Sequence, residues 1–450
     1  MNLFRCLTIC FLVLATFSNP AKGADSSGTV GASVVPLKII FWHSMTGEKG
    51  RHLSSIVDDF NRSQSGKQGV QIQVVPQFVG SYDDGLNKLR TAVIAGRPPQ
   101  VMQITDVGTA LMIDSNAIVP LQTFIDQDPD FPLKELLPAI RRYYEVKGVL
   151  YSLPFATSNP ILYYNADMFK AAGLERPPTT FTELEAYAER LTDKTRKIYG
   201  LTWPLHSWLL EEFMAKQGAP LIIPDNGRLG PASEANYLSS ESRTIIDLWA
   251  RMVRNGTFAN LGRGWDAPSQ NFLAARAAMF ITSTSDNFEV FKNAPFKLGT
   301  AAIPTGLVNN KGGTVVGGNS LWIMKSKNRD TEKATYAFVK FMASPEVQKK
   351  WHSVTGYFPI RNDVIESLKA EGFYERFPVA WTAIEQVRSS PEIIATQGAL
   401  TPVFQLMREH MMTAIEEILT GHSDFDSAMK KAKAKTDFAL ARDARARLVE

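Results

Sequence analysis

Two hydrophobic periods alternate along the first third of the chain. The run LKIIFWHSM, ending at Met45, reads as a strand, and in the following GEKGRHLSSIVDDFNRS the apolar Leu53, Ile56, Val57 and Phe60 recur at helical spacing. VQIQVVPQF then predicts a second strand, YDDGLNKLRTAVIAG a second helix, and PQVMQITD a third strand that delivers Asp106 to its carboxyl end. Alternating strand and helix favours a layered α/β fold. In open α/β sheets ligands bind beyond the carboxyl ends of the strands, where loops and helix N-termini converge. Asp106 is therefore a candidate contact.

YYEVKGVLYSLPF reads as a hairpin turning at Lys147-Gly148. It leads into LPFATSNPILYYNADMFKAAGL, where Thr157, Ser158 and Asn159 separate a Pro-Phe corner from an apolar run. Short hydroxyl and amide side chains bond their own backbone in turns, so this is a turn or else a binding edge. After Tyr164 the texture turns helical, with Thr180 and Glu183 at capping-box spacing and long helical patterns in SWLLEEFMAKQG and SRTIIDLWARMVRNG. Strands return in AAMFITST, FKLGTAAIP and VVGGNSLWIMKS, and from RDTEKATYAFVKFMAS onward the chain is mostly helical, interrupted by GYFPIRN. This order suggests two lobes built from interleaved parts of the chain, with a small-molecule cleft between them.

A length of 450 residues, 44% hydrophobic and 21% charged, is ordinary for a core-forming soluble protein. The N-terminus carries Arg5, an apolar run from Cys6 to Phe17 and small residues before Ala24. That run is shorter than the roughly 18 residues that suggest a membrane span, so residues 1–23 read as a signal peptide and the mature chain begins near Ala24. Cys6 and Cys10 both fall inside it, which leaves a mature chain with no disulfide and no thiolate metal site. Removing Arg5 and Lys22 leaves 47 basic against 45 acidic residues, a balance that offers no footprint for nucleic acid or an anionic membrane.

Catalytic motifs are missing from the sequence. His43, His52, His206, His352, His410 and His422 are scattered without metal spacing, and no nucleophile elbow, phosphate loop or dinucleotide fingerprint occurs. No cofactor or metal is expected. Gly317-Gly318 in VVGGNS is either a bulge or a close approach of backbone to ligand. Tyr82, Trp203, Trp208, Trp265 and Tyr357 offer flat faces and hydrogen-bonding edges suited to polyols, although core packing is the better explanation of each taken alone. A hydrolase using Asp106 and Glu145 as acid and base is a different-class alternative without a motif behind it. A receptor that reports its ligand to a sensor is another, which a fold alone does not separate from a transport protein.

Several stretches in order, among them FWHSMTGEKG, DVGTA, LPFATSNPILYYNADMFKAAGLERPPTTFTEL, AAMFITSTS, GGNSLWIM and WHSVTGYFPI, resemble the extracellular solute-binding proteins of ABC importers. Within that family the resemblance is closest to the periplasmic glycerol-3-phosphate-binding proteins. It implies a two-lobed periplasmic-binding-protein fold of type II, with lobe one at 24–158 and 303–326 and lobe two at 159–302 and 327–450. It also implies a monomeric, non-enzymatic, periplasmic protein that closes on a small molecule at the hinge and delivers it to permease subunits. The implied ligand is glycerol 3-phosphate or a related glycerophosphodiester, polyol or sugar.

Carried over residue by residue, the resemblance implies ligand contacts at Tyr82, Ser158, Tyr357 and the backbone of Gly318. Asp106 stands where the family has a glutamate, Ser283 (or Thr284) at a small hydroxyl position, and Trp208 and Trp203 at two stacking tryptophans. A phosphate-binding arginine is expected two residues after a glycine of the tail. Gly398 stands at that glycine and Leu400 at the arginine position, so the cation is expected from Arg361 or from helix N-terminal amides, or the ligand carries no phosphate.

Overall fold

A computed structural model describes residues 36–65, 71–306 and 311–447. The expected signal peptide, with Cys6 and Cys10, lies outside the described residues. The main strands are β1 (Leu37–His43), β2 (Ile72–Phe78), β3 (Val101–Thr105), β4 (Ile118–Val119), β5 (Leu153–Ser158), β6 (Pro160–Asn165), β7 (Tyr199–Thr202), β8 (Phe258–Ala259), β9 (Ala277–Ser283), β10 (Leu298–Ala302) and β11 (Gly317–Met324). The helices that position the site are α1 (Gly47–Gln64), α2 (Tyr82–Ile94), α3 (Ser207–Lys216), α4 (Ser240–Arg254), α5 (Arg329–Met342), α6 (Pro345–Thr355), α7 (Pro378–Arg388), α8 (Phe404–Leu419) and α9 (Phe425–Arg447).

One sheet runs β2-β1-β3-β11-β4, with β5 also paired to β11, and the other runs β8-β7-β9-β6-β10. In the first, β1 is parallel to β2 and β3, and β11 returns antiparallel between β3 and β5. Strands β3 and β5 are buried along their whole length, which is why they read as apolar runs rather than alternating ones. The predicted hairpin forms, with Lys147 and Gly148 both at positive φ. Helix α2 begins at a full capping box between Ser81 and Asp84, which fixes Tyr82 as its first residue.

Thr157, Ser158 and Asn159 do not make a turn. Thr157 and Ser158 still pair with Gly318 and Gly317, and Pro160 already pairs with Ser283, so Asn159 alone separates a strand of one sheet from a strand of the other. Extended ladders on both sides outcompete the local bonds these side chains form in turns. The Asn159 carbonyl accepts from Thr284 N at 2.9 Å, and its amide N–H donates to Thr284 Oγ1 at 3.3 Å. The return passage lies alongside: Gln386 accepts from Ile303 N at 2.7 Å and donates to the Pro160 carbonyl at 2.6 Å, so one side chain ties both passages together.

The helical tail divides between the lobes. Phe338 of α5 packs against Phe41 and Phe60 of the first lobe with ring centroids 5.5 and 5.2 Å apart, and α6 lies on α1. The expected boundary assigns everything after 327 to the second lobe, whereas α5 and α6 are drawn to the first by the apolar faces of β1, β11 and α1. Helix α7 covers β10 and β6, and α8 and α9 pack with α3, α4 and one another.

Gly318 has φ +107°, and a Cβ there would sit 2.0 Å from the Ala156 carbonyl oxygen, beside a register shift between Asn319 and Ser320. Gly318→Ala is expected to lower stability by about 3 kcal/mol in urea unfolding; a loss below about 0.5 kcal/mol would show that the bulge relaxes freely.

Candidate functional site

At the passage between the sheets, Ser158 and Ser283 come from the ends of strands on opposite lobes. Ser283 Oγ donates to Ser158 Oγ at 3.0 Å and accepts from Ser285 N at 3.1 Å. Thr284 serves the crossing itself through Asn159, so the two candidates of FITSTS have separate duties. Asp286 follows and accepts from Thr282 Oγ1 at 3.1 Å, while Lys49 of α1 reaches it across the junction at 3.5 Å.

Tyr82 and Tyr357 interact through their hydroxyls. Asn319 Nδ2 donates to the Tyr82 hydroxyl at 3.1 Å, and Tyr357 lies parallel to Trp351 with centroids 5.8 Å apart. Lys49 Nζ stands 5.4 Å from the centre of the Tyr357 ring. Burial pushes the Tyr357 hydroxyl up to about 12 and raises the Tyr82 hydroxyl as well, although the rest of that side chain is partly exposed, so both remain neutral donors at physiological pH. Asn319 Oδ1 is buried without a partner, an acceptor open to a ligand hydroxyl.

Trp208 is the second residue of α3, and its indole lies against Gly317: a Cβ on that glycine would sit 2.8 Å from Nε1. Trp208 is only 7% exposed and its Nε1 has no hydrogen-bond partner. Trp265 faces it at 5.9 Å and His206 at 5.2 Å from Trp265, forming an aromatic wall. Burial depresses His206 to about 3, with Arg408 acting in the same direction, so the imidazole is neutral; its Nδ1 accepts from Trp208 N at 3.1 Å.

Arg408 of α8 occupies the floor. Its Nη1 and Nη2 donate to Asp106 at 3.3 and 2.8 Å, and its Nε and Nη2 donate to Glu211 of α3 at 2.8 and 2.9 Å. Both edges of the guanidinium fork are thus taken by carboxylates, one from each lobe. All three side chains are nearly buried, at 14% exposure for Arg408, 7% for Asp106 and 10% for Glu211. Burial opposes the charge on Arg408, but the two carboxylates outweigh it and hold the guanidinium well above its usual range. Burial raises Glu211, with Arg408 pulling against it, and lifts neighbouring Glu212 far above the ordinary carboxylate range. A further link crosses nearby, where Gln405 Nε2 donates to Asp83 at 2.6 Å.

The expected residues Tyr82, Ser158, Ser283, Gly318 and Tyr357 therefore meet at the passage, and Asp106 and Trp208 border it on the Arg408 side. Trp203 does not join them. It lies just past β7 in the core of its lobe, 1% exposed and packed against Phe213, Trp249 and Phe258. Arg361 is likewise elsewhere, bonded to Asp363 and to the Ala343 carbonyl. Leu400 donates its N–H to the Asn226 carbonyl and lines a cavity of about 250 Å³ with Tyr151 and Arg228, which none of the expected contacts share. Glu145 is paired with Arg141 at 3.0 Å and Asp106 with Arg408, so the two carboxylates of the hydrolase alternative are each held by an arginine.

Arg408, Glu211 and Asn319 are the site residues that the sequence reading passed over. A signal existed for the first two. Arg408 falls at the core spacing of Phe404, Met411, Ile415 and Ile418, and Glu211 and Glu212 interrupt the apolar WLLEEFM; charges on buried faces require partners.

Comparison with known proteins gives a consistent picture. The family described as bacterial extracellular solute-binding protein matches residues 55–375. The sn-glycerol-3-phosphate-binding periplasmic protein UgpB of Pectobacterium atrosepticum is 32% identical over 423 residues, 91% of this chain and 92% of that protein. Its namesake in Yersinia pseudotuberculosis is 31% identical over 450 residues, 98% of each. Among solved structures, the sugar-binding protein MalE of Xanthomonas citri superposes with a TM-score of 0.76 at 20% identity, covering 92% of this chain and all of that one, at 100%. UgpB of Mycobacterium tuberculosis in complex with glycerophosphocholine superposes at 0.73 with 18% identity, covering 91% and 100%. These likenesses identify the two-lobed fold of periplasmic binding proteins.

Trp203→Ala is expected to cost about 3–5 kcal/mol in urea unfolding, as for a large core aromatic. A loss under about 1 kcal/mol would return Trp203 to the list of ligand faces.

Proposed function

The chain belongs to the bacterial extracellular solute-binding proteins, and from that premise we propose that it captures a small phosphate-bearing polyol in the periplasm and delivers it to the permease of an ABC importer. The relatives at 31–32% identity are named for sn-glycerol 3-phosphate, and a structural relative holds glycerophosphocholine. A glycerol phosphate or glycerophosphodiester is the substrate class that fits the site's chemistry.

One observation carries this reading: a buried arginine at the floor of the junction, with an edge of its fork supplied only from the opposite lobe. When the lobes part, Asp106 leaves with β3 and the Nη1–Nη2 edge of Arg408 turns toward the opening, a planar pair of donors matched to phosphate oxygens. The Trp208 Nε1 donor and the Asn319 Oδ1 acceptor have no partners among the described residues, and suit a phosphate oxygen and a glycerol hydroxyl respectively. Ser158, Ser283, Tyr82 and Tyr357 provide further hydroxyls from both lobes. Closing over the ligand brings contacts from both sides, and that difference in contacts is what biases the lobes toward closure.

A thermal-shift and calorimetric panel on the mature protein tests the proposal with sn-glycerol 3-phosphate, a glycerophosphodiester, glycerol and maltose. Binding to the folded state adds about 2.7 kcal/mol at a hundredfold excess over Kd. A shift with phosphate esters, weakened on the order of 100-fold by Arg408→Gln, is the expected result. A shift with neutral polyols alone would replace the phosphate reading by a sugar-binding one.

A further inference from the structure

We infer that Glu211 is a specificity-determining positioning residue, which makes the site prefer a monoanionic phosphodiester over a dianionic phosphomonoester. The inference rests on the reading of Arg408 as the phosphate anchor.

Glu211 stands on α3, one helical turn after Trp208, and shares its lobe with Arg408. Its two oxygens take Nε and Nη2 at 2.8 and 2.9 Å. Lobe opening removes Asp106 but leaves this pair intact, so Glu211 fixes which edge of the fork faces a ligand. It also neutralises the anchor before any ligand arrives.

Charge around the anchor sums unfavourably for a dianion. Asp106 and Glu211 together outnumber Arg408, and Lys49 at the far end is engaged by Asp286 at 3.5 Å. The other titratable groups that face this cluster or its immediate neighbours are Glu212 of α3 with Lys216, which is directed to it one turn on, His206 before the helix, Arg263, Tyr143, Tyr144, Tyr237 and Arg228. Arg263 is bonded to Glu409 and Glu416, and Arg228 to the carbonyls of Tyr143, Gln397 and Gly398. Among the described residues, these arginines bring no uncommitted charge to the anchor. A ligand with one negative charge meets the open edge of Arg408 with less repulsion from Glu211 and Asp106 than a ligand with two, and little solvent is present to screen the difference.

The test is calorimetric titration of the mature protein with sn-glycerol 3-phosphate and with glycerophosphoglycerol, a diester without a cationic head, at pH 7.5 and 5.5. At pH 7.5 the diester is expected to bind at least about tenfold more tightly. At pH 5.5 the monoester gains a proton, its second pKa lying near 6, and the preference is expected to narrow at least about threefold. Protonation of Glu211 at the lower pH acts in the same direction, so the substitution Glu211→Gln separates the two. In that variant the preference at pH 7.5 is expected to fall about tenfold, while Glu211→Asp, which keeps the charge, retains most of it. Equal binding of the two esters by the unmodified protein overturns this inference alone. So does a Glu211→Gln variant that weakens both esters equally and leaves their ratio unchanged, the result of a merely structural role. Binding of neutral polyols with neither ester bound overturns the phosphate reading and this inference with it.

Discussion

A chain that passes twice between two sheets must keep every backbone donor and acceptor satisfied at the passage, where there is little water to do it. Asn159 is fully buried, and both of its backbone groups are met by Thr284 of the opposite strand end. Gln386 binds the outgoing and the returning passage with one amide. This bonding leaves little freedom to the residues flanking the passage. Ser158 and Gly317 are opposed by register, Ser283 is brought against Ser158, and Gly318 is held at a positive φ by its closeness to Ala156. The hydroxyls of Ser158 and Ser283 thus inherit their positions from the requirement that the crossing be dry and paired.

The second constraint is electrostatic. A guanidinium taken out of water is unfavourable by several kcal/mol unless its donors are met, and Arg408 meets this with one carboxylate from its own lobe and one from the other. Neutralisation of Arg408 consequently depends on contact between the lobes on the Asp106 side and not on the Glu211 side. Glu212, one residue along, follows the opposite course. Burial raises its carboxyl well above the ordinary carboxylate range, and it accepts from Val315 N at 3.0 Å, fastening the return passage to α3. Adjacent glutamates on one helix therefore do different work, one tuning charge and one holding backbone.

Much of this was legible in the order of motifs and periods. Strand and helix alternation located β1 to β3 and their helices, and the aligned motifs placed Ser158, Ser283, Gly318 and Tyr357 beside one another although they lie far apart in the chain. Trp203 differs from its expected place because a tryptophan just past a strand and one at the start of the next helix look alike in sequence; its packing against Phe213, Trp249 and Phe258 decides that it belongs to the core. The tail helices α5 and α6 were misplaced because periodicity shows that a helix has an apolar face and not which sheet that face meets. Arg408 was hidden by an ungapped reading of the tail that stopped at Leu400, and its partner Asp106 lies 302 residues away.

The position of Asp106 also changes what ligand recognition means here. In this structure its carboxylate occupies the Nη1–Nη2 edge of Arg408, braced by Thr105 Oγ1 at 2.8 Å and Val107 N at 3.0 Å. Capture of an ester at that edge, as proposed, would be an exchange of one anion for another, its free energy the difference between two charge-assisted pairs rather than the full strength of either. A glutamate at this position would reach further by one methylene, whereas the aspartate is short and held by its own strand end. Discrimination in such a site resides less in the contacts a ligand adds than in the charge it brings to a pair that is already satisfied.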